Sequence, residues 1–172
     1  MTLGGVLFLV KDDHMERENK INGFVSAEPA IAVILAAVHF GWMIRRAIIA
    51  LGVSPNKKIH EQLRCCHGLG KLKDAWKDEV KQRTQKGIAE VTAVWPQLKD
   101  AFALRNRLVH GVKPTSNDYA ERRVEWLLQA ARDIQQFCKT HEVDLYRRLP
   151  VRRKGRTYDY LLSPQDRDQL VP

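Results

Sequence analysis

The sequence predicts an all-α protein, a four- to five-helix up-and-down bundle, on three observations. Ala120, Val124, Leu127, Ala131, Ile134, Cys138, Leu145 and Leu149 recur at intervals of three, four and seven residues, so they share one helical stripe. The run "AIAVILAAVHFGWMI" at 30–44 is apolar on nearly every side, as a helix enclosed by others must be. No segment alternates apolar and polar residues as a half-buried strand would, and no unit repeats.

Taken in order, residues 1–24 form an N-terminal segment that the pattern does not assign to the bundle. Its start, "MTLGGVLFLVKDD", has an apolar run but neither a preceding basic region nor a small-residue cleavage pattern, so it does not read as a signal peptide. A first helix is predicted from Ala27, behind a Ser26 cap, to Leu51, with Gly52 as its stop. Glu28, His39 and Arg46 fall on one narrow polar line along it, read as a solvated edge or an internal salt link. Its apolar core is shorter than the roughly 20 residues a membrane span needs. Arg45 and Arg46 follow at once, which points to a helix of a soluble bundle with no membrane partner.

A second helix opens at Ser54-Pro55, breaks near "GLG" (68–70) and resumes through "KLKDAWKDEVKQR". A third runs from Ile88 or Pro96 to His110, with Gly111 at the C-cap position. The fourth starts after Ser116 or Asn117 and holds its stripe to Leu149, where Pro150 ends it. The organisation predicted is therefore a helical domain at 25–149 followed by a basic, polar tail at 150–172.

A length of 172 residues supports one domain with a real core, and 44% hydrophobic with 28% charged residues is a soluble globular composition. The net charge of +9 favours a polyanionic partner. "RRLPVRRKGR" (147–156) carries six basic residues and no acidic one, which makes Arg147, Arg148, Arg152, Arg153, Lys154 and Arg156 candidate contacts to nucleic-acid phosphates. The plainer reading is a solubilising tail. Three cysteines, two of them adjacent, cannot build a disulfide framework and point to reduced thiols in the cytoplasm. "HEQLRCCHG" brings His60, Cys65, Cys66 and His67 close in sequence, but zinc sites use spaced cysteines, and packed thiols are expected there instead. No metal and no other cofactor is expected.

The stretch with most chemical content is "ALRNRLVHGVKP" (103–114). On a wheel anchored at Leu98, Ala101, Phe102, Leu108 and Val109 fall within about 80° of it and predict the buried stripe. Arg105 lies about 20° from the centre of that stripe, whereas Arg107 lies on the solvated side. An arginine cannot shed its charge on burial. It must therefore be paired internally, or its face must open onto a cleft or a partner subunit. Asn106 and His110, four residues apart, share one edge, and His110 stands at the carbonyl end of the helix, where a cation is favoured. A histidine that moves a proton beside a fixed arginine suits phosphodiester chemistry.

"RNRLVHG" resembles the signature of the HEPN superfamily, in which an Arg, very often followed by Asn, precedes a His by four to six residues. Arg105, Asn106 and His110 match it, near the end of the third predicted helix and ahead of a long fourth one. The resemblance implies a homodimer with both motifs meeting in one cleft, and a metal-independent endoribonuclease of a toxin–antitoxin, phage-defence or stress system. It also implies that RNA and an antitoxin or regulatory protein are partners. Arg105, Asn106 and His110 are then the catalytic residues. Members neutralised by nucleotidylation usually carry Tyr two residues after the His, where this chain has Val112, so that mode of control is not implied. The resemblance also admits a catalytically silent module binding RNA, nucleotide or a partner protein. A helical DNA-binding regulator is a third class, which no recognition-helix spacing supports.

Overall fold

A computed structural model describes residues 14–111 and 116–153, and among these residues the chain is all-helical, with seven α-helices and no strand. They are α1 (His14–Val25), α2 (Pro29–Leu51), α3 (Asn56–Arg64), α4 (Gly68–Thr84), the short α5 (Ile88–Val91), α6 (Leu98–Val109) and α7 (Asn117–Thr140). A 3-10 turn at Trp95–Gln97 leads into α6, so Pro96 starts the approach to that helix and does not kink it.

The apolar run forms α2, which is the axis of the bundle. It packs most extensively on α7 and also against α1, α4 and α6, so Ala32, Val33, Ala36, Phe40, Ile44, Ala47 and Ile48 are fully enclosed. At 23 residues, α2 is long and apolar enough to cross a membrane by length and composition, but more than half of its apolar window is buried against the other helices. The small residues Ala32, Ala36 and Ala47 let neighbours approach closely, while Phe40, Met43 and Ile48 fill the spaces between them. Trp76 of α4 lies wholly inside, its indole N–H donating to the Lys86 carbonyl at 3.0 Å.

Two boundaries differ from the sequence reading. Helix α1 lies inside the segment that periodicity left unassigned, yet it packs on both α2 and α7. Its apolar content is small, and polar groups do much of the holding. Arg17, buried, sets its guanidinium 4.1 Å from the centre of the Trp42 ring, and Glu18 meets Arg132 of α7 at 2.7 Å. At the other end, α7 stops at Thr140, two turns before the stripe runs out. Glu142 adopts a left-handed φ of 59°, the Val143 N–H returns to the Cys138 carbonyl at 2.9 Å, and the Glu142 N–H returns to Lys139 at 3.0 Å. That is a Schellman stop made without glycine, which is why no sequence signal announced it. Leu145 is buried all the same, in irregular chain that folds back over α2.

Gly52 and Gly111 end their helices as predicted, for different reasons. Gly111 has φ +86°, the left-handed conformation that only glycine adopts cheaply. Gly52 has an ordinary φ but no room, since a Cβ there would sit 2.6 Å from the Ile48 carbonyl oxygen and 2.5 Å from Ile59 Cδ1. The tight turn after it is held by Glu79, buried on α4, whose carboxylate accepts from the Val53 and Ser54 N–H groups at 3.1 and 2.9 Å.

Candidate functional site

Arg105, Asn106 and His110 occupy the end of α6. The fully buried residues of that helix are Leu98, Ala101 and Leu104, so the centre of burial is Ala101. Val109, expected on the buried stripe, is 52% exposed. The stripe is rotated because α6 packs against α2, α7 and α4 together. Arg105 therefore stands at the rim of the buried face, half-buried. Its guanidinium donates to Asn106 Oδ1 at 3.0 Å.

Beside it opens a cleft of about 480 Å³ between α2, the α3–α4 turn and α6. Arg105, Asn106 and Phe102 line one wall, Val38, Gly41 and Arg45 another, and His67 with Gly68 the third. Among the described residues no carboxylate lines this cleft. His110 caps the helix, its backbone N–H reaching the Asn106 and Arg107 carbonyls at 3.1 Å. Its exposed side chain is not part of the cleft wall. Within one chain, then, Arg105 and Asn106 line the cleft together and His110 does not. Arg107 faces outward as expected and donates to the Tyr119 hydroxyl at 3.2 Å.

Arg45 is the functional-site neighbour that sequence reasoning missed. It donates to the Leu63 carbonyl at 2.6 Å and the Cys66 carbonyl at 2.5 Å, so it closes the open end of α3 and fixes the turn that carries His67. The available signal was its place six residues before the end of a helix, where a charged side chain has to find acceptors. Arg46 finds them in the Leu145 and Arg147 carbonyls, both at 2.5 Å, and lies 4.8 Å from the Trp42 ring centre. His39 is 1% exposed and stacks on Trp42 at 6.5 Å. The polar line Glu28–His39–Arg46 is therefore not a solvated edge at its middle.

Of the cysteine–histidine cluster only Cys66 is packed, while His60, Cys65 and His67 are exposed. Cys66 is buried and donates to the Gln62 and Lys71 carbonyls at 3.4 and 3.6 Å; burial pushes its thiol pKa up against the pull of Arg45. Cys65 is exposed, and His67 is the N-cap of α4. Among the described residues no three His, Cys, Asp or Glu side chains gather as metal ligands do.

The basic C-terminal candidates divide. Arg147, Arg148 and Arg153 are exposed, and Arg147 meets Asp144 at 3.2 Å. Lys154, Arg156 and the Val112 position lie outside the described residues. Arg152 is a correction: it is only 6% exposed and cannot serve as a phosphate contact. Its guanidinium donates to the Ala50 carbonyl at 2.7 Å, to Ser54 at 3.1 Å and to Ile49, closing the end of α2. Asn56 holds the adjoining backbone, accepting from the Arg152 N–H at 2.9 Å and donating to the Pro150 carbonyl at 2.9 Å. The segment 150–152 is thus part of the folded domain.

Compared with known proteins, the chain matches no family model, no curated protein and no solved structure.

Proposed function

We propose that this protein is a metal-independent endoribonuclease of HEPN type, acting as a homodimer in a defence, toxin–antitoxin or stress response. The observation that carries the reading is Arg105 at the rim of α6, paired with Asn106 and opening onto a cleft that no described carboxylate lines. That is a place where a phosphodiester anion, and still more a dianionic pentavalent phosphorane, would be favoured. The exposed apolar residues beside it support the dimer. Val109 and Val38 flank Arg105 at 52% and 39% exposure, and Ile31 follows seven residues before Val38 on α2. A second copy laid over this face would cover them and bring a second motif to the cleft, supplying the histidine that one chain keeps apart.

In this reading the RNA 2′-hydroxyl attacks the adjacent phosphorus while His110 takes its proton. The new P–O2′ bond forms as the P–O5′ bond breaks, and the departing 5′-oxygen takes up the proton from a protonated imidazole, that of His110 or of its copy in the second chain. Arg105 stabilises the charge on the non-bridging oxygens, and Asn106 holds the guanidinium in place. The product is a 2′,3′-cyclic phosphate, and DNA, lacking the 2′-hydroxyl, is not cut. A second reading, a silent RNA- or nucleotide-binding module, is favoured by the separation of His110 from the cleft within one chain. Incubating RNA with wild type, Arg105→Ala and His110→Ala in EDTA decides between them. Cleavage by wild type alone, leaving cyclic phosphate ends, supports the nuclease. Equal cleavage by all three, or cleavage only on adding metal, refutes it.

A further inference from the structure

The cleft beside Arg105 is one of two that meet over Arg45. The second, of about 640 Å³, lies on the far side of that arginine and is walled by Lys57, His60 and Arg64 of α3 together with Glu61, Ile49 and Leu63. Lys57, His60 and Arg64 are three, four and seven residues apart, so they stand on one exposed face of α3. Seven residues of helix carry the two permanent cations of that face along about 10 Å. The ridge between the clefts is the Arg45 guanidinium with the carbonyls it binds at Leu63 and Cys66. Among the described residues the walls present Arg105, Arg64 and Lys57, with Arg45 tied to the α3-end carbonyls, against the single carboxylate of Glu61, and His60 and His67 lie between them. The half-buried ring of Phe102 adds an aromatic surface at the Arg105 end.

We infer that these two clefts form one track for single-stranded RNA. The strand leaves the phosphate held at Arg105, passes His67 at the start of α4 and lies along α3 against Arg64, His60 and Lys57. The inference rests on the nuclease reading for which phosphate is cut, but binding along the track does not require cleavage. A cationic groove with an aromatic surface is how proteins hold a flexible strand without reading its sequence. The basic C-terminal stretch is a weaker candidate for this role: Arg152 is spent on helix carbonyls and Arg147 faces Asp144.

The test uses the full chain carrying His110→Ala and a fluorescein-labelled 12-nucleotide single-stranded RNA, with anisotropy followed across a salt series. Each lost phosphate contact on a single strand lowers the slope of log K against log salt by about 0.7, so Lys57→Gln/Arg64→Gln should lower it by about 1.4. The equally charged control Lys81→Gln/Lys139→Gln, on exposed sites at the ends of α4 and α7, should leave it unchanged. An unchanged slope in the α3 variant, or an equal fall in the control, overturns the track. So does a duplex RNA bound as tightly as the single strand, because a rigid duplex cannot follow two clefts over a ridge. Cleavage of a dinucleotide by the wild type is scored separately: its absence removes the nuclease reading and leaves the track standing if the slope falls.

Discussion

Replacing Arg152 by alanine removes a guanidinium that serves three carbonyl oxygens, those of Ile49, Ala50 and Ser54. Ile49 and Ala50 belong to the last turn of α2, where carbonyls have no partner inside the helix. Leaving a buried acceptor unpaired costs about 1–3 kcal/mol. Ile49 and Ser54 are half-buried and water can reach them, so the buried Ala50 carbonyl dominates and the loss should come to about 2 kcal/mol. For a chain of this size that lowers the thermal midpoint by roughly 4–8 °C. Arg152→Lys keeps the charge but not the planar fork, and should fall between the two. Arg148→Ala and Arg153→Ala, at exposed positions, should stay within about 0.5 kcal/mol of wild type. Thermal and urea unfolding followed by far-ultraviolet circular dichroism measure all four. A midpoint for Arg152→Ala within 1–2 °C of wild type, or equal losses at Arg148 and Arg153, would refute the docking of this segment on α2.

Gly52→Ala should cost about 1–3 kcal/mol by forcing a Cβ against the Ile48 carbonyl oxygen, seen as a lower urea midpoint at unchanged slope; a neutral result would show that the turn yields easily. Thiol labelling of the native protein at pH 8 should modify Cys65 alone, and all three cysteines after denaturation, because Cys66 is buried and burial raises the Cys138 pKa to about 12. Rapid labelling of Cys138 in the native state would contradict its burial. His141 has a lowered pKa from burial and from Arg83, so on acidification the unfolded chain takes up the proton first. Stability linked to it is therefore present above about pH 6.5 and is lost as pH falls through the folded value. His141→Gln should lose less stability than wild type between pH 7.5 and 5.5, and parallel curves would rule this linkage out. Val38→Glu should leave the thermal midpoint of the chain within about 2 °C while converting the proposed dimer to monomer in sedimentation, since Val38 is exposed in one copy. A wild type that is monomeric at all concentrations would remove the dimer.

The local features of this fold are written in local residues. The apolar run of α2, the Ser116 cap that accepts from the Tyr119 N–H at 3.2 Å, and the terminating glycines at 52 and 111 each act within a few residues. Periodicity and capping chemistry therefore reveal them. The same is true of the motif: Arg105, Asn106 and His110 had to fall at the end of one helix, because Gly111 ends it there. Two local features escaped for lack of a signal: α1 is too polar to show a stripe, and α7 ends on Glu142 where no glycine marks the stop.

The fate of the arginines was not legible in the same way. Arg46 and Arg152 reach acceptors about a hundred residues away in sequence, and Arg45 reaches across to the next helix. A helical wheel ranks positions by angle alone, so it put Arg105 and Val109 near the centre of burial; the neighbours of α6 moved that centre to Ala101. Sequence by itself determined which segments coil and where the candidate chemistry sits along them. Only the tertiary structure decided which cations are consumed by helix-end carbonyls and which are left lining a cleft, because that depends on which acceptors folding brings within three ångströms of each guanidinium.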